Sequence, residues 1–253
     1  MNIARFFIYT ILLGLLVGGC AKKPTDPAEL AVFEQTNDPL EPWNRFVWKA
    51  NLKVDKYTLK PLAKGYRAIT PEPFRMGIRN AYDNITEPWS FINNILQGQF
   101  GRAGRNLGRL IINSTVGIAG LFDAATDLGV PSADEDLGQT FAKWGIGEGP
   151  FLMVPFLGPS NPRDLVGFAG QSYADPVGFA LRREASTWTN IGVTAGGFLV
   201  QREQVLDQFD SLVEESQDSY AAIRSGYRQN RVFEIYNGDP PIDDEFDPFA
   251  DDF

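Results

Sequence analysis

Two groups of side chains in this sequence could carry chemistry, and each has a plainer use. Asp134, Glu135 and Asp136 stand together ahead of Leu137-Gly138-Gln139-Thr140-Phe141. Adjacent carboxylates can hold a hard cation, but acids before an apolar run more often cap a helix, where negative charge meets the positive end of the dipole. Capping is the favoured reading. Arg102, Arg105 and Arg109 recur at helical spacing within Arg102 to Thr115 and could form one basic face. Such a face can contact phosphate groups; as a plain solvated face, the reading favoured for it, it needs no ligand. What is missing is as informative. The 253 residues contain no histidine and a single cysteine, Cys20. That removes Ser-His-Asp and Cys-His catalysis, imidazole metal sites and internal disulfides. Carboxylate, lysine or tyrosine chemistry remains, but no nucleophile-elbow motif occurs and no base partner stands out. These absences weaken an enzyme reading without excluding it; the expectation adopted is no enzyme, no cofactor and no metal.

A third stretch is notable for its backbone. Trp144 to Asp164 reads WGIGEGPFLMVPFLGPSNPRD. Gly145, Gly147 and Gly149 alternate, so the chain can take conformations closed to other residues. Phe151 to Leu157 is an apolar run with Pro155 inside it, which argues against a central strand or a continuous helix. Gly158, Pro159, Asn161 and Pro162 make a turn-rich exit. Two readings stand side by side: a hinged apolar loop or hairpin between helices, and a buried connector without functional motion.

The elements that must position these residues are mainly helical. Asp38-Pro39-Leu40-Glu41 has the form of a capped helix start, followed by Trp43, Phe46, Val47, Ala50 and Val54 at helical spacing. Thr70-Pro71-Glu72 opens a second helix and Thr86-Glu87-Pro88 a third, which stops at Gly98. Arg102 to Thr115 is helical in spacing, and Gly104 and Gly108 inside it suggest close approach of another helix or a ligand. Leu165 to Tyr173 reads as a helix. Ala185 to Gln201 has no charged residue, which suits packing against lipid, lining a mixed pore, or an ordinary core helix. Arg202 to Tyr236 is helical, with Ser216 as break and cap and Gly238 as terminator.

The two ends differ from this body. Arg5 precedes an apolar run, Phe6 to Val17, of signal-peptide length, ending in Leu16-Val17-Gly18-Gly19-Cys20. These residues resemble a bacterial lipobox, so residues 1–19 are expected to be a signal peptide and Cys20 a lipidated N-terminus, with acyl chains as the membrane anchor. No aspartate follows Cys20, which points to the outer membrane. Residues 20–37 read as a tether, 38–238 as one domain, and 239–253 as an acidic, disordered tail holding seven acids and no base. Most of the net charge of −9 lies in that tail, and without a basic face no nucleic-acid partner is expected. No stretch after the leader reads as a transmembrane helix.

Several phrases together resemble the MlaA (VacJ) family of outer-membrane lipoproteins. They are Asp38-Pro39-Leu40-Glu41-Pro42-Trp43-Asn44-Arg45, Asn80 to Ile85 with Glu87-Pro88, and Leu96-Gln97-Gly98. Asn113 to Gly117, Gly120 to Asp123, Glu135 to Thr140 and the glycine stretch follow in order. The resemblance implies an all-α, ring-shaped domain in the inner, periplasmic-side leaflet of the outer membrane, with an amphipathic central channel. It implies phospholipid as cargo, removed from the outer leaflet and handed to a soluble periplasmic carrier, MlaC. A trimeric porin is the implied membrane partner. On the same resemblance, Gly145, Gly147, Gly149 and Pro150 match a gating hairpin, and Asn80, Ala81 and Tyr82 a segment controlling lipid access. Ala81 departs from the aromatic usual in the family. Phe151, Leu152, Val154 and Phe156 are then candidates for an acyl-chain wall. Two alternatives are a lipid-active hydrolase and a purely structural porin-associated lipoprotein.

Overall fold

Proline and capping residues place most helix ends within a turn of where the sequence puts them. A computed structural model describes residues 24–26, 30, 33, 36–174 and 186–241. The expected signal peptide, Cys20, Ala185 and residues 242–253 of the acidic tail lie outside the described residues.

Helix α1 spans Glu41–Val54 and passes through a π-helical turn, Asp55–Leu59, into α2, Lys60–Ile69. Pro61 lacks an N–H and cannot continue an i→i−4 ladder, and the wider turn before it absorbs that loss. Helices α3 (Glu72–Leu96) and α4 (Phe100–Thr115) pack together along their length. After the short helices α5 (Ala124–Asp127) and α6 (Leu137–Lys143) comes a two-stranded antiparallel ribbon. Its strands are β1 (Leu152–Val154) and β2 (Gly158–Ser160), with Leu152 opposite Ser160 and Val154 opposite Gly158. Then follow α7 (Pro162–Ala174), α8 (Thr187–Gln204), α9 (Leu206–Glu215) and α10 (Ser219–Ile235). The protein is mainly helical, as expected, and the stretch read as a loop or hairpin is a hairpin.

Four local expectations are corrected. The helix starts at Thr70 and Thr86 belong to one helix, because Pro88 sits inside α3 without ending it. The bond lost at Pro88 is outweighed by Glu87, which is buried against Arg109 and Asn106 of α4. Asp38 does not cap α1. Its carboxylate is buried and accepts from the Tyr220 hydroxyl, from Arg224 at 2.8 Å and from Asn44 at 2.8 Å. The cap of α10 is Asp218, accepting from the N–H groups of Tyr220 and Ala221, while Ser216 only closes α9. Finally, Gly104 and Gly108 face open space. The close approach is made by Gly138 of α6 and Gly167 of α7, where a Cβ on Gly167 would lie 2.5 Å from the Gly138 nitrogen.

Burial is inverted relative to a water-soluble protein. One apolar cluster, Val47, Trp48, Phe151, Met153 and Tyr220, sits where α1, the ribbon, α9 and α10 meet. Elsewhere, among the described residues, the largest fully buried side chains are polar, among them Asn44, Asn93, Asn94, Asn106 and Thr140. Large apolar side chains point outward instead: Ile69, Phe74, Phe100, Leu128 and Tyr173 are all more than half exposed. Among the described residues no helix is long and apolar enough to cross a membrane.

Candidate functional site

The ribbon is moored to α1 by two asparagines. Asn44 donates through Nδ2 to the Phe151 carbonyl at 3.0 Å and accepts at Oδ1 from the Met153 N–H at 2.9 Å. Asn51 repeats the pattern, donating to the Val154 carbonyl at 3.0 Å and accepting from the Phe156 N–H at 2.9 Å. The geometry explains the spacing. Seven residues of helix rise about 10.5 Å and three residues of strand about 10 Å, so two amides on one helix face meet equivalent points on a strand edge. The amides thus stand in for a neighbouring strand and satisfy an edge that would otherwise be open.

The base of the ribbon is clamped by charge. Asn161 caps α7 by accepting from the Asp164 N–H at 2.8 Å and donates to Asp164 Oδ2 at 2.7 Å. Asp164 also accepts from Tyr227 Oη at 2.6 Å, Arg231 Nε at 2.8 Å and Arg163 Nε at 2.9 Å. Arg231 then reaches Asp136, the N-cap of α6, with Nη1 at 2.6 Å and Nη2 at 2.8 Å. Burial works to raise both carboxyls, but Arg231 outweighs it and holds Asp136 and Asp164 below the usual carboxylate range. Burial and the Asp164 hydrogen bond push the Tyr227 hydroxyl well above its ordinary value, so it stays a donor. The acid cluster is therefore structural: Asp136 caps, as favoured, and the buried Glu135 accepts from Arg102 at 2.9 Å.

Between α6 and this clamped ribbon runs the glycine arm. Gly145 and Gly149 sit in the left-handed region at φ +84° and +71°, whereas Gly147 does not. The Gly149 end is tied down, because Asn37 Nδ2 donates to its carbonyl at 2.7 Å and the Asn37 carbonyl accepts from the Phe151 N–H at 2.8 Å. Glu148 pairs with Arg228 at 3.0 Å. A Cβ on Gly145 or Gly147 would meet nothing within 4 Å. Of the four candidate wall residues, Phe151 and Val154 are buried in protein, with Phe151 edge-on to Tyr220 and Tyr227. Leu152 is half-buried, and Phe156, at φ +66°, stands exposed at the tip.

The segment Asn80 to Tyr82 lies on α3, away from the ribbon. Asn80 Nδ2 donates to the Leu121 carbonyl at 3.2 Å, and Tyr82 lies against α8, where a Cβ on Gly197 would be 3.6 Å from its hydroxyl. The half-buried Ala81 sits between these two contacts in sequence. Below them a polar core joins α3 to α4. Arg109 Nε donates to Glu87 at 2.7 Å and its Nη2 to Asp123 at 3.0 Å, and Asn94 donates to Asn106 at 2.8 Å. Arg109 is thus buried and paired, which corrects the reading of the arginine row as a solvated face. Burial raises the Glu87 carboxyl, and the bonds from Asn106 and Arg109 offset this only in part. Asn44, Asn51, Asn94, Asn106 and Arg231 were missed by motif reading. Their one local signal is asparagine repeated within helices, where it is a poor former.

Paired charges inside, apolar side chains outside and an edge strand sealed by amides define a class: a mainly helical protein with many large apolar side chains exposed. Comparison with known proteins gives its family. The family model for MlaA lipoproteins matches residues 36–234, and the chain belongs to that family. It is 30% identical to the intermembrane phospholipid transport system lipoprotein MlaA of Haemophilus influenzae over 241 residues, 92% of each chain. With the protein of the same name from Escherichia coli K12 it shares 32% over 229 residues, 88% of this chain and 85% of the relative. An uncharacterized protein of Rickettsia conorii is 34% identical over 195 residues, 77% of this chain and 76% of its own. A solved structure, from work on the structural basis for maintenance of bacterial outer membrane lipid asymmetry, matches with a TM-score of 0.68 and 30% identity. That match covers 78% of this chain and 98% of the other.

Proposed function

We propose that this chain is the outer-membrane lipoprotein of an intermembrane phospholipid transport system. It removes phospholipids that have strayed into the outer leaflet and passes them inward, so that the two leaflets keep different lipids. The observation that carries this reading is the inverted burial in a member of this family. Glu87, Arg109, Asn94 and Asn106 are paired inside, while Ile69, Phe74, Phe100 and Leu128 face outward. In water, exposed apolar patches of this extent promote association; against acyl chains they cost little.

On this reading the domain, residues 38–238, lies as a ring in the periplasmic-side leaflet, anchored by acyl chains on Cys20 and seated beside a trimeric porin. A central amphipathic channel takes the phospholipid, and a soluble periplasmic carrier of the MlaC kind receives it. No covalent step is needed, so the protein is a transporter component rather than an enzyme. The glycine arm Gly145, Gly147, Gly149 and Pro150 is the gate; the moorings of β1 support a reading in which the arm moves and the ribbon stays fixed. Asn80, Ala81 and Tyr82 govern lipid access. Leu152 and Phe156, with Phe151 and Val154 behind them, form the acyl-chain wall. The test is reconstitution: vesicles containing this protein and labelled phospholipid should hand lipid to the added carrier. Absence of transfer would support the structural-lipoprotein reading, and appearance of lyso-lipid the hydrolase reading.

A further inference from the structure

We propose that Arg79 holds the phosphodiester anion of a transported phospholipid in the seam between α3 and α8; the inference rests on the phospholipid reading above. Helices α3 and α8 meet at two points. Arg75 Nε lies 3.5 Å from Glu203 Oε1 near the end of α8, and Tyr82 packs at Gly197 further back along it. Arg79 is one turn beyond Arg75 and about one turn before Tyr82, on the same stripe of α3. It therefore faces the seam where α8 offers no carboxylate, since Thr187 to Gln201 contains no charged residue.

The other arginines of this region each have an oxygen partner, although Arg75 Nε and Arg202 Nη1, like Arg79 Nε, are buried without a hydrogen bond. Arg67 binds Glu203 and Asp207 at 2.8 Å each, Arg75 donates to the Arg67 and Thr70 carbonyls, and Arg202 binds Asp55 and Asp210 at 2.7 Å each. Arg79 Nε is buried and has no hydrogen-bond partner. The one carboxylate a turn away, Asp83, forms no ion pair with it; burial and Asp134 raise that carboxyl above its ordinary value, and the attraction of Arg79 offsets this only in part. The Tyr66 hydroxyl is also buried without a partner, on α2, which packs along α8. A buried guanidinium donor without an acceptor is costly, and both orphaned groups can donate. What this seam lacks is an oxygen acceptor with negative charge. A phosphodiester supplies two such oxygens, and a guanidinium is the side chain that grips them best.

The test uses the full-length protein in detergent, stripped of lipid. Fluorescent phosphatidylglycerol and fluorescent diacylglycerol with the same acyl chains are offered in micelles to the wild type, Arg79→Gln and Arg79→Lys. The expected result is a drop of about tenfold in phosphatidylglycerol retained by Arg79→Gln, the effect of one lost charge-assisted hydrogen bond. Arg79→Lys should fall between the two, above Arg79→Gln because the charge remains and below wild type because the two-pronged grip is lost. Diacylglycerol, which lacks the phosphate, should bind wild type and Arg79→Gln alike. Wild-type retention of phosphatidylglycerol by Arg79→Gln would overturn the proposal. So would equal loss of both lipids, which would mark a role in folding. Displacement of phosphatidylglycerol from the wild type by inorganic phosphate, with Arg79→Gln abolishing phosphate binding alone, would assign the site to a free anion and overturn the lipid assignment. Failure of the wild type to hold either lipid would instead bring down the phospholipid reading and the inference with it.

Discussion

At the scale of single residues, the protein spends its amides and ions on holding backbone in place. Asn44 is fully buried and satisfies two backbone groups of the ribbon at once. Asn44→Ala would leave the Phe151 carbonyl and the Met153 N–H unpaired, at a cost of roughly 2–4 kcal/mol. The expected outcome is a clear fall in thermal midpoint, with Asn51→Ala, which is less buried, falling less. Acid titration tests the clamp. Asp136 and Asp164 are held below the usual carboxylate range when folded. Their contribution is therefore complete above the unfolded carboxylate value of about 4 and is lost as pH falls through the depressed folded values. Glu87 and Glu135 are raised by burial, so protonating them favours the fold and partly offsets that loss. Thermal midpoints followed against pH should drop below about pH 4 in the wild type and drop less in Asp136→Asn, whose amide can still cap α6. Neither the clamp nor the moorings could be read from the sequence, because Asn44 and Phe151 are 107 positions apart and Arg231 and Asp136 are 95 apart. The capping role of Asp136 was legible, because a cap and its helix are neighbours.

At the scale of elements, the same contrast between local and distant signals explains which parts of the fold were foreseen. Helices α4 and α7 announce themselves through spacing, whereas the sequence of α3 reads as two helices and that of α10 places its cap at Ser216 instead of Asp218. The hairpin was foreseen from Gly145 to Pro162, but its support by a helix instead of a third strand was not. Gly104 and Gly108 looked like a packing motif and face open space, while the close crossing falls at Gly138 and Gly167. Gly167→Ala should therefore destabilise the protein by about 1–3 kcal/mol, the usual cost of forcing a methyl into packed backbone, and Gly104→Ala should be neutral or stabilising. Equilibrium unfolding of the two variants decides between these sites. The glycine arm can be tested at one position. Proline at 145 would conflict with φ +84° and with the N–H that Gly145 donates to the Ala142 carbonyl, so the fold itself would suffer. Gly147 is not left-handed and has space around it. Gly147→Pro is expected to leave the thermal midpoint nearly unchanged and to slow lipid transfer to the carrier. Transfer at the wild-type rate would remove the arm from the gating role.

At the scale of the whole molecule, the features fit one another. Buried ion pairs and asparagine networks hold helices together without a large apolar core, which releases apolar side chains to the surface. That arrangement suits the proposed seat at a membrane, and among the described residues no helix is long and apolar enough to cross one. Membership of the MlaA lipoprotein family over residues 36–234 gives the arrangement its purpose. The most direct measurement of that purpose is outer-leaflet phospholipid on intact cells, labelled with an amine-reactive probe that does not cross membranes. A strain lacking this gene should show more labelled phospholipid than its parent. The wild-type chain should restore the parental level, and a Cys20→Ser chain should not. Equal labelling in parent and deletion strain would contradict the account.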